Sequence, residues 1–410
     1  MQRILKLLMV SIAGISFAGN AQAAGYQLNE YSAASMGRSF AGMGVVGDDF
    51  SAIGYNPAGM SLNKENGMQL GASMVRLHST FKGYGTDGVE ATRGRGHTNI
   101  TRVMPSGFVQ YKLSEEWTAG LGVYVPFGLA TDYPNRWFGE RHGALSQITC
   151  TDISPALSYK INQYLSVGAS FNMQYSDAHL TSSSADLRGD DWGTGYTIGM
   201  TIRPIESLRF GVSYRSRVKH LLKGKLEGRG NNTGLAGYDM AKIVTPETAI
   251  LSGAWDVNER WTLTGTARWT RWKRFDVLDI ALNGNNAGIP EGTIISSTEE
   301  KWRNTGFYAL GADYKPNDTW TFRGGIGYDM TAIRSAAHRT PRIPDGRRFW
   351  GSLGLSYTYQ NMKFDLGYSH IWVVGGRARG SDHANMAYGR PNIKYSSDAN
   401  MLSLGVQYKF

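Results

Sequence analysis

The sequence predicts an all-β membrane protein: a fourteen-stranded antiparallel transmembrane β-barrel with a small N-terminal hatch of short helical turns plugging the lumen. Three observations carry this. From Gly67 onward, apolar and polar residues alternate with period two in long segments, as strands with one lipid-facing side must. Tight turns and long polar segments take turns between those strands. The chain also closes on an apolar face, Leu402, Leu404, Val406, Tyr408 and Phe410.

The first 23 residues read as a secretory leader. Arg3 and Lys6 form the positive start, Leu7 to Phe17 the apolar run, and Ala21-Gln22-Ala23 the small-x-small cleavage site. No later stretch is uncharged and apolar over the roughly 20 residues that a spanning helix needs. Cys150 is the only cysteine, so an intrachain disulfide is excluded and a small inert side chain is expected there. The formal charge of +10 falls to +8 once Arg3 and Lys6 are removed. Without a long Lys/Arg run, that charge points to anionic lipid surfaces or carboxylates, not to nucleic acid.

Residues 24–65 form the expected hatch. They are rich in Gly, Ala and Ser and lack the two-residue alternation. Asn56 is a good N-cap and Pro57 is preset for the first helical position, so a short turn starts at Asn56-Pro57-Ala58. Asp48-Asp49 ahead of Ser51-Ala52-Ile53 can cap another.

Residues 66–410 form the expected barrel. Leu165 to Tyr175 is the cleanest strand: Leu165, Val167, Ala169, Phe171, Met173 and Tyr175 share one face. It matches the about 9–11 residues that cross a bilayer. Trp117–Phe127, Tyr196–Ile202, Leu208–Tyr214, Trp261–Trp269, Trp302–Tyr314, Trp320–Met330, Phe349–Tyr359, Phe364–Trp372 and Leu402–Phe410 repeat the pattern. Six tight turns fall at Ser114-Glu115-Glu116, Asn162-Gln163, Pro204-Ile205-Glu206, Asn258-Glu259, Pro316-Asn317-Asp318 and Gln360-Asn361. Seven polar segments, near 83–103, 128–146, 177–193, 221–243, 276–299, 332–346 and 375–397, are expected as outer loops. Thirteen connections make fourteen strands, with both ends on the short-turn side. Trp117, Trp261 and Trp320 follow short turns, where a periplasmic aromatic girdle belongs.

Catalytic motifs are missing. The string Gly42-Met-Gly-Val-Val-Gly47 has GxGxxG spacing but lies in the hatch, not in a βαβ unit, so tight turning is its expected use. GxSxG, CxxC and HExxH do not occur; neither an enzyme nor a cofactor or metal is expected. Taking the apolar phase as lipid-facing puts Arg209, Arg215, Arg217, Arg268, Lys301, Arg303, Arg323 and Arg348 inward, with Asp313, Asp329 and Asp365. These form either an ion network that holds the hatch or a clamp for a substrate carboxylate, with Lys301, Arg303 and Arg215 as the candidate clamp. Pro126 either ends the third strand at the membrane surface or marks a bulge within it.

Several short motifs, in order, carry a family resemblance. Gly25 to Glu30, Gly37-Arg38, Ala41-Gly42, Asp48-Asp49 and Tyr55 to Met60 resemble the hatch of the FadL family of outer-membrane transporters. Val125 to Thr131, Arg342 to Arg348 with Trp350 and Ser352 to Gly354, and Asp365 to His370 resemble segments of its barrel. The resemblance implies a monomer in the bacterial outer membrane, surrounded by outer-membrane lipid and lipopolysaccharide. It implies passive uptake of a long-chain fatty acid or another hydrophobic small molecule. It also implies lateral exit through a kinked wall at Pro126, Phe127 and Gly128; the expected route is capture between outer loops, transfer to a lumenal pocket and a shift of the hatch N-terminus, with Asn56, Pro57 and Ala58 as the gating residues of the hatch. Aromatic hydrocarbon uptake is the alternative within transport; a surface-adhesion or structural barrel is the alternative outside it. A polar-solute porin is disfavoured by the plug.

Overall fold

The computed structural model describes residues 25–86, 91–229, 236–283, 290–379 and 392–410. The expected leader, 1–23, lies outside the described residues. Nineteen strand segments form one sheet: β1 (Gly67–Thr86), β2 (Ala91–Lys112), β3 (Trp117–Asp132), β4 (Leu145–Lys160), β5 (Leu165–Thr181), β6 (Ala185–Ile205), β7 (Leu208–Arg215), β8 (Val218–Gly228), β9 (Ala236–Thr245), β10 (Thr248–Asp256), β11 (Trp261–Thr270), β12 (Val277–Leu282), β13 (Ile294–Glu299), β14 (Thr305–Tyr314), β15 (Trp320–Asp329), β16 (Arg347–Tyr359), β17 (Met362–Val374), β18 (Arg377–Arg379) and β19 (Asn392–Lys409). Fourteen of them close a ring, running β1 to β7, then β10, β11, β14 to β17 and β19, which pairs back on β1 from Gly67↔Lys409 to Tyr84↔Asn392. Closure leaves no terminal edge to aggregate.

The upper ends of the ring strands and the five remaining segments correct the expected loops; β12 and β13 lie in 276–299 and β18 in 375–397. Much of 83–103, 177–193 and 221–243 is ladder, with β8 and β9 pairing above β7 and β10, and β5 and β6 paired as far as Thr181↔Asp186. These stretches rise past the lipid, so their outer face is polar and the apolar alternation that marks a strand is lost while the hydrogen bonds persist.

The short turns explain themselves. Asn162, Asn258 and Asn317 each accept from the backbone N–H groups two and three residues on, at 2.8–3.0 Å, the local bonding that makes Asn a turn residue. Trp117, Trp261 and Trp320 then pack at a tilt across strands on Tyr159, Tyr314 and Tyr357, with ring centroids 4.5, 4.7 and 4.8 Å apart. These pairs, with exposed tryptophans, form a belt on the short-turn side.

The lumen is filled by the hatch. Helix α1 (Ala33–Gly37) starts at Ser32, whose side chain accepts from Ser35 N; α2 (Ala52–Tyr55) leads into a 3₁₀ segment, Pro57–Leu62. Asn56 caps that segment, its Oδ1 accepting from Ala58 N at 3.2 Å, with Pro57 at its start. Leu28, Met36, Phe40, Met43, Phe50, Ile53 and Met60 are buried in one cluster with the inner wall. Gly42, Gly44 and Gly47 take φ of 76°, 67° and 74°, so the GxGxxG string is a chain of left-handed turns.

Candidate functional site: a hatch bonded into a gap in the wall

The wall is irregular at one place. Residues of β3 and β4 pair regularly up to Tyr124↔Asp152 and resume at Phe127↔Cys150, so Val125 and Pro126 together oppose Thr151. That is a β-bulge, made where a proline has no N–H to give the ladder. Pro126 therefore does not end the strand, which continues to Asp132. On its other side β3 pairs with β2 only from Lys112↔Thr118 to Gly107↔Val123, whereas β2 keeps β1 as far as Thr86↔Ala91. Pro105 of β2 lies two residues beyond the last pair, and a proline is tolerated where a strand becomes an edge. Above Val123, then, β3 has left β2. Residues 124–131 of β3 are buried on both faces, as a strand drawn into the lumen must be.

The hatch occupies the edge that β3 freed. Gln27 bridges Phe127; Leu28 N donates to the Pro126 carbonyl at 2.9 Å and Gly128 N to the Tyr26 carbonyl at 2.7 Å. Asp345 holds the tip, accepting from Gly25 N at 3.3 Å and from Arg348. Around Tyr26 stands an aromatic box: Trp272 at 4.7 Å, Phe275 at 5.7 Å and Phe127 and Trp302 at 6.0 Å, centroid to centroid.

Inside the gap, Gln27, Asn29, Tyr31, Pro126, Arg215 and Arg268 line a cavity of about 20 Å³, room for about one water molecule. Arg215 is buried, paired with Asp152 at 2.6 Å and bonded to the Tyr124 hydroxyl at 3.3 Å. Arg268 donates to Asn29 Oδ1 and lies 4.9 Å over the Phe307 ring.

The far end of the hatch is locked by ions. Arg38 pairs with Asp48 at 2.9 Å and with Asp313 at 2.7 Å; Arg323 pairs with Asp48 at 2.9 Å. Lys363 donates to the Asp48 carbonyl at 2.8 Å, and Gln407 to Asp365 at 2.6 Å. Burial opposes ionisation of Asp48, but the surrounding Arg38, Lys363 and Arg323 hold its carboxyl well below the usual range. Arg209, Arg215, Arg268, Arg323 and Arg348 face inward as expected, with Asp313, Asp329 and Asp365.

Three cations predicted inward lie off the strands, where the two-residue period assigns no face. Lys301 and Arg303 precede β14, which starts at Thr305, three residues later than expected. There Trp302 turns inward, 1% exposed, while Lys301 pairs with Glu299 at 2.8 Å and Arg303 donates to the Thr331 carbonyl at 3.1 Å. Trp302 is buried ahead of Thr305, so the alternation of β14 does not extend back to Lys301 and Arg303. Arg217 points outward because Ser216-Arg217 interrupts the strand between β7 and β8. Sequence reasoning missed the aromatic box and Arg268's contact with the hatch; Trp272 and Phe275 sit in an irregular segment after β11 where no period applies. Asn56 Nδ2 donates to the Met200 carbonyl at 3.2 Å, and a Cβ at Gly199 would lie 1.9 Å from Asn56 Oδ1. Asn56, Pro57 and Ala58 are thus pressed onto β5 and β6, while the strand-like tip contacts β3.

Two buried carboxyls flank that tip. Burial pushes Glu30 up from 4.5 to about 7, against the Asn29 N–H and the Arg268 and Arg348 charges; burial likewise pushes Glu300 to about 7, against the Trp302 indole N–H. A raised carboxyl stabilises the native state while protonated. That contribution is whole below pH 4.5 and is lost as pH rises through 7, on the order of 3 kcal/mol for each group at most. Hydrogen exchange of residues 25–31, corrected for intrinsic rates, is expected to speed up from pH 5 to pH 8; a Glu30→Gln/Glu300→Gln variant is expected to flatten the profile.

A closed fourteen-stranded barrel with a buried, bonded hatch and a gap in its wall defines an outer-membrane transport barrel for hydrophobic compounds. The sequence matches the family described as outer membrane protein transport protein (OMPP1/FadL/TodX) over residues 14–410, and the chain belongs to that family. It is 26% identical to the long-chain fatty acid transport protein of Escherichia coli K12, covering 89% of this chain and 91% of that one. Its fold is shared with a Pseudomonas aeruginosa FadL homologue, at TM-score 0.86 and 24% identity over 94% of this chain and 100% of that one. The Pseudomonas putida toluene transporter TodX shares it too, at 0.72 and 17% over 95% and 100%. Family members are transport channels, which fits a chain without catalytic motifs.

Proposed function

We propose that this protein takes up long-chain fatty acids, which pass the lumen and leave sideways into the bilayer between β2 and β3. The bulge at Val125-Pro126, with β2 unpaired from β3 above it, is the observation that carries this reading. Lateral release suits the cargo, because an alkyl chain handed to lipid never becomes fully hydrated. Arg268, and less so the already paired Arg215, supplies a buried cation beside the gap for a carboxylate. The tail adds about 0.8 kcal/mol per buried CH₂. Lys301 and Arg303 have no part in this clamp.

The aromatic box around Tyr26 favours a second reading, a monoaromatic hydrocarbon as cargo, since such rings pack edge-to-face with a planar apolar guest. Uptake of labelled oleate and toluene decides between them. Arg268→Gln is expected to lower oleate uptake about tenfold or more, the loss of one charge-assisted hydrogen bond, and to leave toluene uptake unchanged. Lys301→Ala/Arg303→Ala is expected to change neither. Transport of toluene without oleate would establish the hydrocarbon reading instead.

A further inference from the structure

Four cations stand side by side on the outside of the barrel. The ladders pair Arg95 of β2 with Lys82 of β1, Lys82 with Lys394 of β19, and Lys394 with Arg377 of β18. Directly paired residues project to the same face, and all four are exposed, while their neighbours Phe81, Ile393 and Ala378 are buried inward. Strands lie about 4.8 Å apart, so the row spans roughly 14 Å. None of the four has an ion pair among the described residues. Like charges placed directly opposite are destabilising, and here three such pairs are consecutive. β18 is held in that position by Arg339, which donates to the Arg377 carbonyl at 2.6 Å.

Height identifies what meets the row. On the same strands the outward apolar face ends at Met74, Val103 and Leu402. Above it the outward residues are polar: Arg76, His78 and Thr80 on β1, Thr101, Asn99 and His97 on β2, Asn400, Asp398 and Ser396 on β19. One carboxylate, Asp398, faces out in this field. Six residues separate Arg76 from Lys82, roughly 15 Å along the membrane normal at ~3.3 Å per residue and ~40° tilt. An open groove of about 530 Å³ runs along three of the four, lined by Lys82, Arg95 and Lys394 with Thr80, Phe81, Gly96, His97 and Ser396.

We propose that this face is a binding site for the phosphorylated saccharide headgroup of an outer-leaflet glycolipid. Its acyl chains lie against Met74, Val103 and Leu402, its lower phosphate reaches Arg76, and the phosphates of its inner sugars neutralise the Arg95–Lys82–Lys394–Arg377 row. A phospholipid headgroup is too short to span both levels; a lipopolysaccharide spans them.

Purified protein in detergent is titrated with lipopolysaccharide carrying a phosphorylated inner core, and with the same material after chemical dephosphorylation. Wild type is expected to bind the phosphorylated form at least about tenfold tighter, with an affinity that falls as salt rises. Lys82→Gln/Lys394→Gln, substitutions on an exposed face, are expected to abolish that preference while oleate binding and heat-modifiable migration stay unchanged. Equal affinity for both forms, or wild-type affinity in the double variant, would overturn the proposal. So would displacement of the glycolipid by oleate, which would assign the row to capture of the cargo.

Discussion

Asp48→Asn is expected to release the hatch while leaving the barrel assembled. The Asp48 carboxylate takes hydrogen bonds from Arg38 at 2.9 and 3.1 Å and from Arg323 at 2.9 Å. Both guanidiniums are 1% exposed. Neutralising the acid leaves them sharing Asp313 and a more distant Asp365, and breaking a buried pair from one side costs about 3–5 kcal/mol. The cost falls on docking of the hatch, since the wall's closure rests on backbone ladders that the substitution does not touch. Limited proteolysis is expected to cut between residues 25 and 65 in the variant but not in the wild type, with heat-modifiable migration unchanged. Passage of a bulky hydrophilic antibiotic into intact cells is expected to rise in parallel. A hatch as protected as the wild type would move the anchoring to Asn56 and the apolar cluster around Phe40 and Phe50.

Deleting Pro126 is expected to close the wall. Without it Val125 alone opposes Thr151, the register with β4 becomes regular, and β3 regains an N–H for its neighbour. The strand can then rejoin β2 above Val123, and the edge now bonded by Leu28 and Gly128 is no longer free. Oleate uptake is expected to drop about tenfold or more, because a bulge that re-aims a strand is what opens the path. Assembly into membranes is expected to be normal, since one fewer residue makes this ladder more regular. Retained uptake would mean that cargo reaches the periplasm through the lumen.

How far the sequence reached depended on which force wrote each feature. Leu165 to Tyr175 was legible because lipid demands an apolar residue at every second position. Trp117, Trp261 and Trp320 were legible for a related reason: the interface selects amphipathic rings. The strand count followed from turn chemistry, with Asn162, Asn258 and Asn317 closing their own turns. Where lipid no longer acts, as in β8, β9 and the upper halves of β1 and β2, the same hydrogen bonds leave no pattern, so ladder and loop look alike in the sequence. An inward Lys301 and Arg303 would need the alternation of β14 to begin at Trp302, but the strand starts at Thr305 and Trp302 is buried.

The hatch divides in the same way. Its caps, Asn56 with Pro57 and Asp49 before Ser51, are local and could be read from neighbours in the chain. Its locks are not local. Arg38 meets Asp313, Leu28 meets Pro126 and Arg268 meets Asn29 across separations that only closure of the barrel removes, and the same closure sets Lys82 beside Lys394 on the outer face. By itself the sequence determined the barrel, its strand number and the presence of a plug, because each answers to a periodic or nearest-neighbour force. Only the tertiary structure decided where the wall opens, which cations face the lumen and which form a row outside it. Those depend on register between distant strands, and one residue's slip in register exchanges the two faces.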